Sequence, residues 1–162
     1  FDTNGVTPSD NTKYITIPTS LTNFGSNDFT ISFWYEPLSD VTGYNHIFSM
    51  PWNDITGDFL ISQISTTREF VLIQRTTSNI NHNLGIISTA NTLYNFIITR
   101  KNNFIKVFIN GEEKTSVSYN GSLNNRTFML GASSTSPNAS GFLNASRIFK
   151  RLDIWNGTGF SN

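Results

Sequence analysis

The sequence contains no cysteine. That excludes disulfides, thiolate nucleophiles and thiolate metal sites. There are only two histidines, His46 and His82, too few for a histidine-built metal centre. Charge is sparse as well. Charged residues make up 14% of the chain, with 11 basic and 11 acidic side chains and a formal net charge of +0. No basic patch is available to neutralise phosphates, so nucleic acid is not an expected partner. The same balance argues against binding to a membrane surface. No apolar run approaches the ~20 residues of a membrane helix. The longest candidates, such as Phe104 to Ile109, are strand-sized and include Lys106, so membrane insertion is not expected. Helical periodicity is almost missing from the chain.

What remains is a chain of 162 residues with 37% hydrophobic content and a mean hydropathy of -0.23. This fits one domain, residues 1–162, without a linker or internal repeat. A domain of this size buries roughly 70% of its unfolded surface. With so few charges, Asn, Ser and Thr must cover much of the outside. Such a cover suits a protein outside the cell, and it follows equally from an AT-rich genome. Five N-x-S/T triplets, beginning at Asn120, Asn125, Asn138, Asn144 and Asn156, match what so Asn-, Ser- and Thr-rich a chain yields by chance.

Short alternating segments recur along the chain, separated by Gly, Asn, Asp and Pro. The pattern predicts strands at Lys13–Pro18, Asp28–Glu36, His46–Ser49, Asp58–Ile64, Glu69–Gln74 and Leu84–Ile87. It continues with Tyr94–Arg100, Phe104–Asn110, Lys114–Tyr119, Thr127–Gly131, Gly141–Phe149 and Leu152–Trp155. Spacing of roughly 8–12 residues between short strands predicts a sandwich or barrel. Aromatics are 14% of the chain, including 14 Phe, and rings of that size fill the space between two sheets. Lys101-Asn102-Asn103 and Asn110-Gly111 carry turn chemistry, which makes Tyr94 to Tyr119 a β-meander. The asparagine-rich NINHN around His82 reads as a solvated turn.

One strand poses a question. In DFTISFWYEP, Phe29, Ile31, Phe33 and Tyr35 form the apolar face, which sends Trp34 to the opposite face with Thr30 and Ser32. Either a second layer covers that face, or the face binds something flat and partly apolar. The covering layer is the expectation. Phe104, Lys106 and Phe108 pose the same question, because Ile105, Val107 and Ile109 take the other face of their strand. Arg75, at a strand end, is expected to reach the groove that these residues and Trp34 would share.

In order along the chain, several segments resemble the concanavalin A-like jelly roll, and most closely its laminin-G-like branch. They are FDTNG followed by YITIP, then FTISFWY, the pair YNFIITR and VFING, then FMLGA and LDIWNG. The segment SRIFKRLD is similar to a closing strand in the receptor-binding region of clostridial neurotoxins. Phage tail and baseplate proteins carry modules of the same architecture. The resemblance implies an all-β, two-sheet antiparallel sandwich and a glycan- or receptor-binding task. Function varies widely on this fold, so it has to be argued from a site.

Three chemistries can be weighed. Glycosidases need two carboxylates flanking the scissile bond. The adjacent acids Glu112-Glu113 would face opposite sides of a strand, and they read as a solvated hairpin end. Neither histidine sits in a recognisable triad context, so no catalysis is expected. A pair such as Asp54 and Glu69 facing each other across a groove would reopen the question. For metal, the loop PWNDITGD offers Asp54 and Asp58 as hard oxygen ligands suited to calcium, although turn residues explain the loop as well. For sugars, an aromatic platform beside planar donors and acceptors is required. The densest such run is TGYNHIFSMPWND, which supplies Tyr44, His46, Trp52, Asn53 and Asp54. Trp34 and Arg75 form the second candidate region, on the concave face. The expected function is non-catalytic recognition of a cell-surface glycan or polysaccharide. The expected setting is extracellular or on a virion surface, as an adhesion module within a larger multidomain or multimeric assembly. A structural or protein-docking jelly roll of a tail, capsid or toxin is the alternative.

Overall fold

A computed structural model describes residues 14–37, 45–50, 58–64, 66–75, 78–123, 127–131 and 147–157. It confirms the two-sheet antiparallel sandwich. The elements are β1 (Ile15–Ile17), α1 (Thr19–Thr22), β2 (Phe29–Pro37), β3 (Asn45–Ser49), β4 (Phe59–Gln63), β5 (Glu69–Arg75), β6 (Asn79–Ile87), β7 (Tyr94–Lys101), β8 (Phe104–Ile109), β9 (Glu112–Ser118), β10 (Phe128–Leu130) and β11 (Arg147–Asn156). One sheet has six strands in the order β1-β10-β3-β4-β5-β6, and the other has five in the order β11-β2-β7-β8-β9.

The two sheets meet through aromatic rings. Phe29, Ile31, Phe33 and Tyr35 of β2 are fully buried, as the alternation requires. Phe33 stacks on Phe96 of the neighbouring strand at 5.4 Å and 8°, and on Phe48 of the facing sheet at 6.0 Å and 15°. Phe70 reaches across from β5 to meet Phe96 edge-on at 5.2 Å and Tyr94 at 5.1 Å. Each such pair adds about 0.5–1.5 kcal/mol beyond area burial. The Tyr35 hydroxyl donates to Gln63 Oε1 at 3.1 Å, and the Gln63 amide donates in turn to Ser88 Oγ. A buried phenol is thus satisfied without water.

The meander β7-β8-β9 forms as its turns predict. Asn102, Asn103, Asn110 and Gly111 all adopt positive φ. Two sequence expectations need correction, and one short helix was not foreseen. NINHN lies within β6, where it pairs with β5, because its asparagines face outward and leave His82 and Leu84 to the inner side. The two closing strands are one, β11, and residues 141–146 of the first lie outside the described residues. The helix α1 carries no periodic signal, since four residues are too few to show one.

Arg100 is an inward-facing cation, 1% exposed. Its guanidinium donates to Gly25 O at 3.1 Å and lies 5.3 Å from the Tyr119 ring. Gly121 closes on the same ring so tightly that a Cβ would come 2.7 Å from the Tyr119 hydroxyl. These contacts tie β7 to the α1–β2 and β9–β10 connections at one end of the sandwich.

Phe96→Ala should cost about 3–5 kcal/mol, because it opens the centre of the ring stack. Urea unfolding checks this, and a loss under about 1 kcal/mol would show that the stack does not organise the core.

Candidate functional site: the outward face of the five-stranded sheet

The outer face of this sheet is built by register. Trp34 of β2 lies between Lys150 of β11 and Asn95 of β7. In the next row, Ser32 lies between Asp153 and Ile97, and Ile97 pairs with Phe108. In the row after that, Trp155 pairs with Thr30, Thr30 with Thr99, and Thr99 with Lys106. Phe104 pairs with Lys101 at the end of β8. Trp34, Ile97 and Phe108 are half-buried, whereas Trp155 is 37% exposed and Phe104 is 45% exposed. Thr30 points outward and yet is fully buried. Trp155 stands directly opposite it in register and is 37% exposed.

Trp155 faces outward because of one residue. Arg151 is an extra residue in β11, with φ 46, and the register shifts between Lys150 and Leu152. A one-residue shift moves every later side chain to the other face. Phe149 therefore points inward on one side of the bulge, while Leu152 and Ile154 point inward on the other. That parity leaves Asp153 and Trp155 outside.

Polar groups fill the remainder of the face and are largely partnered. Asn95 Nδ2 donates to Ser32 Oγ at 3.3 Å, and the Asn95 backbone N–H donates to Asn110 Oδ1 at 2.9 Å. Lys106 pairs with Glu113 at 2.8 Å, Lys150 with Glu36 at 3.6 Å, and Arg151 with Asp153 at 2.6 Å. Exposed pairs of this kind add little stability, but they cancel the local field.

The other sequence-derived candidates separate. Tyr44, Trp52, Asn53 and Asp54 lie outside the described residues. His46 is not an open loop residue. It lies in β3 and is largely buried, and its Nδ1 is 2.7 Å from Ser62 Oγ of β4. Arg75 is on β5 of the six-stranded sheet, and its backbone N–H donates to Asp58 O at 2.8 Å. The groove that would join Arg75 to Trp34 does not form, because the two residues belong to different sheets. Asp58 precedes β4 and is 1% exposed, which is not an open loop carboxylate. The outer face that is closed to solvent also differs from expectation. On the six-stranded sheet Leu60, Val71 and Ile73 form a small outer cluster no more than 7% exposed, while the Trp34 face is only half-covered.

Trp155 and Asn95 were missed as site residues. The alternation in LDIWN already set Asp153 and Trp155 on one side and Leu152 and Ile154 on the other. Nothing in the sequence said which side was solvent, because the bulge at Arg151 has no signature of its own.

A protein-family model described as Laminin_G_3, of the concanavalin A-like lectin/glucanases superfamily, matches residues 9–152. The chain belongs to this family. Among solved structures, this laminin-G-like domain is similar to the CBM40 domain of the Ruminococcus gnavus IT-sialidase bound to α2,3-sialyllactose. The TM-score is 0.66 at 13% identity, covering 98% of this chain and 92% of the other. It is also similar to domain 4 of an extracellular arabinanase from Geobacillus stearothermophilus in complex with arabinotriose. That TM-score is 0.58 at 19% identity, covering 82% of this chain and 62% of the other. Domains LG4-5 of the mouse laminin α1 chain align with a TM-score of 0.63 at 12% identity, covering 97% of this chain and 44% of theirs. At these identities the likeness shows the fold. No curated protein matches the sequence.

The family's name spans lectins and glucanases, so its chemistry has to come from side chains. Among the described residues of the laminin-G-like domain, no group of three or more His, Asp or Glu is placed to hold a metal ion. Glu69 is held by Thr67 Oγ1 at 3.0 Å and Asn83 Nδ2 at 3.0 Å. Glu112 and Glu113 are ion-paired to Lys114 and Lys106 at the hairpin end. No helix among the described residues is long and apolar enough to cross a membrane.

Burial lowers the His46 pKa from 6.5 to about 4. Between those values the unfolded chain holds a proton that the native chain does not. The contribution is therefore complete above pH 6.5 and is lost as pH falls toward 4, up to about 3 kcal/mol. Burial lowers His82 too, with the same sign. Urea unfolding at stepped pH should show stability falling across this window. His46→Gln should flatten most of the slope, and an unchanged slope would remove His46 as its source.

Proposed function

We propose that this laminin-G-like domain is a non-catalytic carbohydrate-binding module. Its glycan would rest on the outward face of the five-stranded sheet. One observation carries the reading. Trp155, 37% exposed, stands on the same face as half-buried Trp34 and exposed Phe104, among hydroxyl, amide and ion-paired side chains. A sugar presents an apolar C–H face and a rim of hydroxyls, so it needs a ring beneath it and planar polar groups beside it. Trp155 and Trp34 supply rings, and Asn95, Ser32 and Asp153 supply the polar groups. A docking surface would instead be a contiguous apolar patch of a few hundred Å². Three ion pairs interrupt this face.

A shallow single site binds weakly, and several copies on one cell or particle raise the effective strength. An adhesion module of a phage tail or a bacterial surface, outside the cell and within a larger assembly, meets that need. The carbohydrate-bound domains among the similar folds support the general task and do not name the sugar. The second candidate region is the stretch with Tyr44, Trp52, Asn53 and Asp54, with calcium held by Asp54, and by Asp58 only if its buried carboxylate turns outward.

A broad glycan array, run with and without calcium, tests both. Trp155→Ala and Trp34→Ala should each lower binding about tenfold or more while circular dichroism stays native. Binding lost only in Trp52→Ala would move the site to the loop, and calcium dependence would bring in Asp54 and Asp58. A wild-type blank across host-relevant polysaccharides would end the carbohydrate reading in favour of a protein partner.

A further inference from the structure

The charge and spacing of the same face say what kind of glycan it fits. Resting on the carbohydrate-binding reading, we infer that the ligand is an uncharged oligosaccharide laid across the strands, rather than an acidic sugar held at one point. Among the described residues, four acids border or occupy the face: Asp28, Glu36, Glu113 and Asp153. Four cations match them: Lys101, Lys106, Lys150 and Arg151. Three of these cations are already within 3.6 Å of a carboxylate. The Asp28 carboxylate accepts from the Asn102 backbone N–H at 3.3 Å, at the end where Lys101 lies. An anionic sugar would have to break an ion pair to gain one, with little net benefit. Selective anion capture instead uses a forked guanidinium free to bind in bidentate fashion. The one arginine of this set, Arg151, has its Nε committed to Asp153.

The spacing argues for length. Trp155 is on β11 and Phe104 is on β8, three strand intervals or about 14 Å across the sheet, and Phe104 lies two residues or about 7 Å further along the strands than the row of Trp155. Two partly exposed rings so far apart can both be used only by a ligand of several sugar rings. The inference departs from the sialyllactose-bound neighbour, whose ligand carries a carboxylate.

The test is calorimetric titration with neutral oligosaccharides of increasing length and with acidic ones (sialyllactose, oligogalacturonate), at about 50 and about 500 mM salt. A neutral ligand should bind with less than about a twofold change between salts. Its affinity should rise with chain length, and Trp155→Ala and Phe104→Ala should each lower it about tenfold. Trp155→Phe should retain most of the binding, which separates a lost platform from a lost fold. Binding confined to acidic glycans and weakened about tenfold by salt would overturn the inference and leave the carbohydrate reading standing. So would affinity that is already maximal with one ring. A blank with every glycan would overturn both.

Discussion

The ring stack between the sheets is the contact on which the other features depend. Phe33, Phe48, Phe70 and Phe96 come from β2, β3, β5 and β7, two strands from each sheet. Their contacts fix the spacing of the layers and the sliding of one layer over the other. With no cysteine and few charges, the fold has little else to hold it. The Tyr35–Gln63–Ser88 chain adds direction, because its hydrogen bonds can be met in only one register of the two sheets.

Once the inner faces are fixed by the rings, the outer faces follow, and they are not alike. The six-stranded sheet hides a second small apolar cluster outside, around Leu60, Val71 and Ile73. The five-stranded sheet leaves rings partly open and neutralises the charges between them. A carbohydrate surface needs that combination. Fully buried rings could not stack on a sugar, and unpaired charges would favour ionic partners over neutral hydroxyls.

The alternation in DFTISFWYEP set Trp34 opposite the core, and the structure keeps it there. The Asn-Gly and Asn-Asn turns fixed the meander. Both signals are local, and local geometry obeys them. Arg75 and Trp34 share no local signal, and their placement on different sheets depends on pairings between distant strands. His46 opens a strand that the alternation predicted, but the burial of its ring against a Ser62 hydroxyl depends on β4, which pairs with it from a distant part of the chain. NINHN looked like a solvated turn because asparagines are turn formers, and it is solvated, with only His82 of the five partly covered, but pairing with β5 makes it a strand.

Composition and period two determined by themselves that this chain is a cysteine-free β-sandwich packed with aromatic rings. They suffice because side-chain alternation is a property of each strand alone. The sequence also contained every ring of the candidate face. Which rings share that face was decided only by the tertiary structure, through strand order, register and the extra residue Arg151. A single residue inserted in a strand reverses the facing of all that follow it, and whether a residue is inserted or paired depends on the neighbouring strand.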